Sequence, residues 1–322
     1  MMNIRKIIPN EQNHYRELAL SNGSVFNDPE WIRVYGDKLT LYGIFDNDDK
    51  LMGGFYIFRS SLFGIPFYTT PPHTPSVGLF YSNPAKNSSN RLGVEKEIMA
   101  TISAFFKQSR MAVQRYSLPV GITDMQPFIW DKFKVVPYFT YWIDLKNTEE
   151  ELLNNISPKL RNNIRKAITD GVTVQPVTDY QVIEPILVET FRKQKIALDE
   201  SRIKRILYDF ANPGNSFAFV AMQEDKPVSM AFCIFDREKA FYLFGGVSEG
   251  LKHEGAGALV LWECIKHARN TGLACFDLEG SMIKGVEKFF RGFGGEQKSY
   301  FTINRAPLLL EIMLKFVKRE LF

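Results

Sequence analysis

Three stretches of the chain place chemically capable residue types at spacings a folded protein can use. The first is Phe241-Tyr-Leu-Phe-Gly-Gly-Val-Ser248 followed by Lys252-His-Glu-Gly-Ala-Gly257. A strand, a glycine-rich loop and the start of a helix together aim backbone N–H groups at one point, which suits a phosphate or pyrophosphate. Gly245, Gly246, Val247, Lys252, Gly255 and Gly257 are therefore candidates for binding an anionic carrier. The competing reading is structural: Gly255 and Gly257 would let a helix lie close to a sheet, and Gly245-Gly246 would mark a strand bulge. No P-loop signature is present, so nucleotide hydrolysis is not indicated.

The second stretch is Asp277-Leu-Glu-Gly-Ser281, at the end of a predicted strand. Ligands of open α/β sheets gather beyond the carboxyl ends of the strands, which makes Glu279, Ser281 and nearby Tyr242 the catalytic candidates. A carboxylate against an apolar wall gains basicity, the property needed to take the proton that an amine loses as it attacks an ester or thioester. The plainer alternatives are that Glu279 pairs with Lys288 or Arg291 to hold its loop, and that Tyr242 belongs to the core. The third stretch is a basic helix in which Lys159, Arg161, Arg165 and Lys166 are backed by a Leu160, Ile164, Ala167 stripe, with no acidic residue from 154 to 169 to pair with them. Lys159, Arg161 and Arg165, with Lys288 and Arg291, are the candidates for holding substrate phosphates. A solvated surface is the alternative.

The elements that must position these residues follow from pattern. Residues 39–45, a charged turn and residues 51–59 read as a hairpin, and 216–222, a second charged turn and 227–235 repeat it. A duplicated unit is thereby expected. Residues 66–81 hold too many prolines for a helix and read as a connecting loop. A helix is expected over 94–110 and strands over 112–118 and 138–145. Thr148-Glu-Glu-Glu151 is a capping box, Ser157-Pro158 starts a further helix, and Gly171 can stop it. Helix 182–197, strand 240–245, helix 256–270, strand 274–278, helix 286–291 and strand 299–304 then alternate as α/β layers do. Residues 308–319 form an amphipathic helix.

With 322 residues, two domains are expected, and 45% hydrophobic with 24% charged residues excludes a disordered or fibrous chain. A net charge of +4 gives no argument for DNA. Cys233, Cys264 and Cys275 lack C-x-x-C spacing, and His14, His73, His253 and His267 lack ligand spacing with them, so neither a disulfide framework nor a metal site is expected. No segment reads as a signal core or as the ~20 apolar residues of a membrane span, so no integral membrane segment and a cytoplasmic location are expected.

Lys252-x-x-Gly255-x-Gly257 resembles the Q/R-x-x-G-x-G/A loop with which GNAT acetyltransferases hold the pyrophosphate of coenzyme A, with lysine in the first position. Tyr141-Trp-Ile-Asp-Leu-Lys, Glu149-Glu-Glu-Leu-Leu and Pro158-Lys-Leu-Arg-Asn-Asn-Ile-Arg-Lys resemble the opening of the second domain of Fem-type peptidyltransferases. Phe276-Asp-Leu-Glu-Gly-Ser281 and Phe289-Phe-Arg-Gly-Phe-Gly-Gly295 are similar to later motifs of their acetyltransferase relatives. The resemblance spans about residues 138–304. It implies an α/β fold of two tandem GNAT-like domains, each a mixed, mostly antiparallel sheet flanked by helices. The expected boundaries are 1–145 and 146–305, with helix 306–322 packing back on the first domain. The implied activity is transfer of an acyl group from an acyl-CoA donor to an amino group of a small or lipid-linked cell-envelope or saccharide precursor. Alternatives are peptidyl transfer from aminoacyl-tRNA to a peptidoglycan precursor, and a non-catalytic binding module on the same fold.

Overall fold

Both charged turns close hairpins, and around each hairpin the chain builds a sheet of the same design. The computed structural model describes residues 2–62, 65–109, 113–194, 199–248 and 253–317, so Lys252 lies outside the described residues. The chain divides into one unit of Met1–Tyr138 with Ser299–Phe322 and a second of Phe139–Lys298.

The first unit begins with β1 (Asn3–Lys6), α1 (Gln12–Asn22) and α2 (Pro29–Arg33), then the hairpin β2 (Leu39–Phe45) and β3 (Leu51–Leu62). It continues through β4 (Ile65–Thr69), β5 (Phe80–Tyr81), α3 (Ser88–Lys107), β6 (Val113–Ser117) and α4 (Gln126–Trp130). Residues 66–69 thus form a strand instead of the expected loop. Pro66 opposes Ser61 of β3, and pairing to β6 begins only at Phe67, so the missing proline N–H leaves no gap there. Helix α3 starts six residues before the expected one because the Asn87 side chain accepts the Asn90 N–H at 2.8 Å and caps a polar first turn.

The second unit takes β7 (Lys134–Asp144), α5 (Glu149–Asn155), α6 (Pro158–Thr169), β8 (Thr173–Val177), α7 (Glu184–Lys193) and α8 (Glu200–Lys204). The hairpin β9 (Ser216–Gln223) and β10 (Lys226–Phe235) follows, then β11 (Lys239–Val247), α9 (Ala256–Asn270), β12 (Cys275–Asp277) and α10 (Lys284–Arg291). Strand β13 (Glu296–Arg305) and helix α11 (Leu308–Val317) lead back to the first unit.

The strand order is β1-β2-β3-β4-β6-β13 in the first unit and β8-β9-β10-β11-β12-β7 in the second. Read in those orders, each sheet has three antiparallel pairs, one parallel pair, then a last antiparallel pair. That shared sequence of pair types carries the duplication that the hairpins suggest. The copies differ at the strand after the hairpin. In the second unit it is the continuous β11, whereas in the first it is broken between β4 and β5 by a proline-rich excursion. Val77 of that excursion accepts the Tyr56 N–H and donates to the Ser117 carbonyl, both at 2.9 Å, and so ties β3 to the end of β6.

Aromatic rings fill much of the first core: Phe55, Phe106, Tyr116 and Phe128 are buried there, and Phe106 stacks on Tyr116 at 4.1 Å. In the second core, α9 buries Leu259, Val260, Leu261, Cys264 and Ile265, while α6 contributes Leu160, Ile164 and Ala167. The capping box at Thr148 forms as the sequence demands, the hydroxyl accepting the Glu151 N–H at 3.2 Å and the Glu151 carboxylate accepting the Thr148 N–H at 2.7 Å. Thr148→Ala should therefore cost about 1 kcal/mol, measured as a lowered urea midpoint at unchanged slope.

Candidate functional site

The site is created by a strand that loses one neighbour. Strand β11 pairs with β12 only over Lys239↔Cys275, Ala240↔Phe276 and Phe241↔Asp277, then runs on to Val247 held by β10 alone among the described residues. Next to the point of separation, Phe232 and Cys233 of β10 oppose Phe244 and Tyr242, which leaves Leu243 as an extra residue in β11. The bulge lies at Leu243 and not at Gly245-Gly246, and such insertions bend a strand away from its partner. The freed edge of β11 faces a cavity of about 730 Å³ lined by Tyr242–Val247 residues, the first turn of α9, α7, the loop after β12 and α10. That volume suits a small-molecule site.

The glycines divide into two kinds. A Cβ on Gly255 would overlap the Asn163 carbonyl of α6, and one on Gly246 would meet Thr190 and Ile186 of α7, so both exist to let elements approach closely. Gly245 makes room for the Tyr242 hydroxyl. Gly257 is different. Its nearest neighbours to an added Cβ are Ser229 Oγ at 3.7 Å and Val247 Cγ2 at 3.8 Å, ordinary contact distances, yet the residue lines the cavity. Among the described residues, no close contact at 257 requires glycine. With Ala258 it presents first-turn N–H groups, which a helix cannot satisfy internally.

His253, which lacks any ligand spacing in the sequence, turns out to fix this loop. Its Nδ1 accepts the Gly255 N–H at 3.1 Å, so Nε2 carries the hydrogen and donates to Asp170 Oδ2 at 3.0 Å. The only signal for it in the sequence is its place two residues before Gly255.

Across the cavity, β12 ends in a pair of carboxyls with opposite surroundings. Asp277 is buried, and its Oδ1 accepts from Thr140 Oγ1 at 2.5 Å and from the Glu279 N–H at 2.9 Å, while Oδ2 accepts from Trp142 Nε1 at 2.6 Å. Trp142 is itself held under the Lys239 ammonium, 3.3 Å from the ring centroid. Glu279 lines the cavity, and its Oε1 is buried with no hydrogen-bond partner. Burial first, and the Asp277 charge second, push the Glu279 carboxyl well above the usual carboxylate range, with Lys239 opposing. Burial raises Asp277 as well, but three donors offset the shift there and none does so at Glu279. Of the two carboxyls, Glu279 is therefore the more strongly raised.

The backbone of Glu279 has φ of +59°, a left-handed conformation that costs a non-glycine residue about 1 kcal/mol or more. Gly280 follows at +64°, and a Cβ there would overlap the Phe139 carbonyl. Close packing at 280 thus holds the strained residue before it.

Ser281 and Tyr242 line the same cavity as Glu279; the Ser281 hydroxyl accepts the Ile283 N–H at 3.1 Å, and Tyr242 lies edge-on to Phe290 at 5.8 Å. The five cationic candidates do not line it. Arg291 pairs with Glu287 at 2.7 Å, so it is not the partner of Glu279; Arg161 donates to the Asn154 carbonyl at 2.9 Å. Lys288, Lys159 and Arg165 are exposed, the last two on the helix whose Asn163 backbone abuts Gly255. No group of residues suited to a metal ion occurs among the described residues.

Residues 158–291 match the family model described as an acetyltransferase (GNAT) domain. No curated protein matches the chain. Among solved structures, the chain is similar to FemX, with a TM-score of 0.66 at 12% identity over 97% of this chain and 99% of that one. A tandem GNAT protein from the clavulanic acid biosynthesis pathway gives 0.57 at 9% identity, over 95% and 99%. The L-PGS structure from Bacillus licheniformis gives 0.54 at 10% identity, over 98% of each chain. The fold is therefore α/β, with mixed, mostly antiparallel strand pairing flanked by helices, like that of FemX and the tandem GNAT protein.

Proposed function

From a chain with the tandem GNAT fold of Fem-type proteins, we propose an N-acyltransferase that uses an acyl-CoA donor and the amino group of a cell-envelope or saccharide precursor. The observation that carries this reading is the juxtaposition, in one cavity, of the glycine-bearing first turn of α9 with a carboxyl whose Oε1 is buried and has no hydrogen-bond partner. The donor would supply an activated thioester carbonyl. Gly257 and Ala258 amides suit its pyrophosphate, and the free edge of β11 suits the amides of its pantetheine arm, as sheet edges take extended chains. Val247, Gly246 and Gly245 line that edge, and N–H groups there can steady the oxygen on which charge develops.

Glu279 acts as base. Its carboxylate takes a proton from the acceptor amine as nitrogen attacks the carbonyl carbon; the C–S bond breaks, and the departing thiolate takes a proton from solvent. Phe289, Phe290 and Phe244 wall the cavity and limit water near the reacting atoms. The FemX and L-PGS likenesses favour an acceptor from the cell envelope, lipid-linked or soluble.

Exposed Lys159, Arg165 and Lys166 on the helix against the glycine loop also suit a polyphosphate, which favours aminoacyl-tRNA as the second donor reading. Titration calorimetry decides. Acetyl-CoA is expected to bind with micromolar affinity and one molecule per chain. Heat from charged tRNA alone, with affinity falling steeply as salt rises, transfers the reaction to the tRNA donor. Absence of both overturns acyl transfer and leaves a binding module.

A further inference from the structure

Helix α11 is apolar on a face that none of the described residues covers. Leu308, Leu309, Ile312, Met313 and Phe316 are exposed, Leu309 at 79% and Phe316 at 86%. At 100° per residue they share one broad side, while the Glu311–Lys315 ion pair, at 3.0 Å, occupies the narrow polar side. Continuous exposed apolar surface of this sort marks contact with another body.

Neighbouring residues say which body. Arg305, three positions before the helix, lies with its guanidinium 5.3 Å from the ring centroid of Phe133, three positions past the end of α4. There Ile129 and Trp130 are exposed as well, and the Lys96 ammonium lies 5.3 Å from the Trp130 ring. Lys132 and Lys134 are exposed next to them. The adjacent acids Asp124 and Asp131 are already paired with Lys96 at 2.8 Å and Lys107 at 2.5 Å, so the rim of the apolar surface is cationic.

We infer that α11 together with Ile129 and Trp130 is a docking surface for an anionic lipid bilayer. The five apolar side chains enter the boundary between head groups and acyl chains. Trp130 matches that boundary because its ring is apolar while its N–H can stay hydrated. Lys132 and Lys134 meet anionic head groups, and their attraction adds to the burial. A second copy of the chain is a poorer occupant, since a two-fold contact would bring each lysine rim against another one. The inference does not depend on acyl transfer.

Flotation of the full chain with vesicles tests it. At low salt the protein should float with vesicles of equal phosphatidylglycerol and phosphatidylcholine and bind phosphatidylcholine alone about tenfold more weakly. The double variant M313E/F316E, at exposed positions that leave the circular dichroism spectrum unchanged, should lose about tenfold in binding. Lys132→Gln and Lys134→Gln should each lose roughly fivefold, and only on the anionic vesicles. No binding to either vesicle, or binding that M313E/F316E leaves intact, overturns the proposal. So does a concentration-dependent dimer that this double variant dissolves in the absence of any vesicle binding.

Discussion

Glu279→Gln should lower kcat by about 10²–10⁴-fold, leave donor affinity unchanged and leave the fold at least as stable as before. Glutamine keeps the shape but cannot accept the amine proton. The stability half of the prediction follows from the sign of the shift. Burial and the Asp277 charge raise the folded carboxyl above its unfolded value, so the folded chain holds the proton more tightly. Stability is then fully present at low pH and declines as pH rises from the ordinary carboxylate range toward the raised value. The variant should lack that decline in denaturant titrations across the same window.

Activity runs the opposite way, appearing as pH rises through the same ionisation, because only the carboxylate is a base. Asp277→Asn removes a like charge and should move the acidic limb of the kcat profile to lower pH. A limb that stays in place in this variant, or a Glu279→Gln enzyme that retains full kcat, would take general-base catalysis away from Glu279.

Gly257→Val and Gly255→Val should fail in different ways. Among the described residues, a Cβ at 257 meets Ser229 and Val247 at ordinary contact distance, so thermal stability should hold, while the valine methyl groups should block the helix N-terminus and donor binding should vanish in calorimetry. Valine at 255 collides with the Asn163 carbonyl and must push α6 from α9, an overpacking cost of about 1–3 kcal/mol that thermal unfolding reports directly. Preserved acetyl-CoA binding in Gly257→Val would remove the donor from this loop.

How much of this was visible in the residues depends on the range of the interaction. Helix α9 and its glycine loop are local: apolar residues at helical spacing from Ala256, with glycines before them, state both the element and its N-terminus. The capping box at Thr148 is equally local, spanning three positions. The carboxyl network is not, because Asp277 meets Thr140 and Trp142 from 137 and 135 positions away, and only the pairing of β12 with β7 brings them together. His253 and Asp170 are 83 positions apart and join through the contact of α6 with the loop. Edge strands escaped for another reason. β1 and β8 bury too little of either face to alternate cleanly, so their sequences resemble loops. The cations of α6 read correctly as a face of a helix, but a helical wheel cannot say whether that face borders a cavity.

The excursion through Val77 has a consequence for counting and for engineering. Pseudo-symmetric halves raise the prospect of two carriers per molecule, yet the earlier half has stitched its own main chain across the place where the later half gapes. Calorimetry should accordingly find one carrier per molecule. Shortening the 70–79 detour until β4 runs straight into β5 would unpick that stitch and offer a direct route to a twin-sited protein.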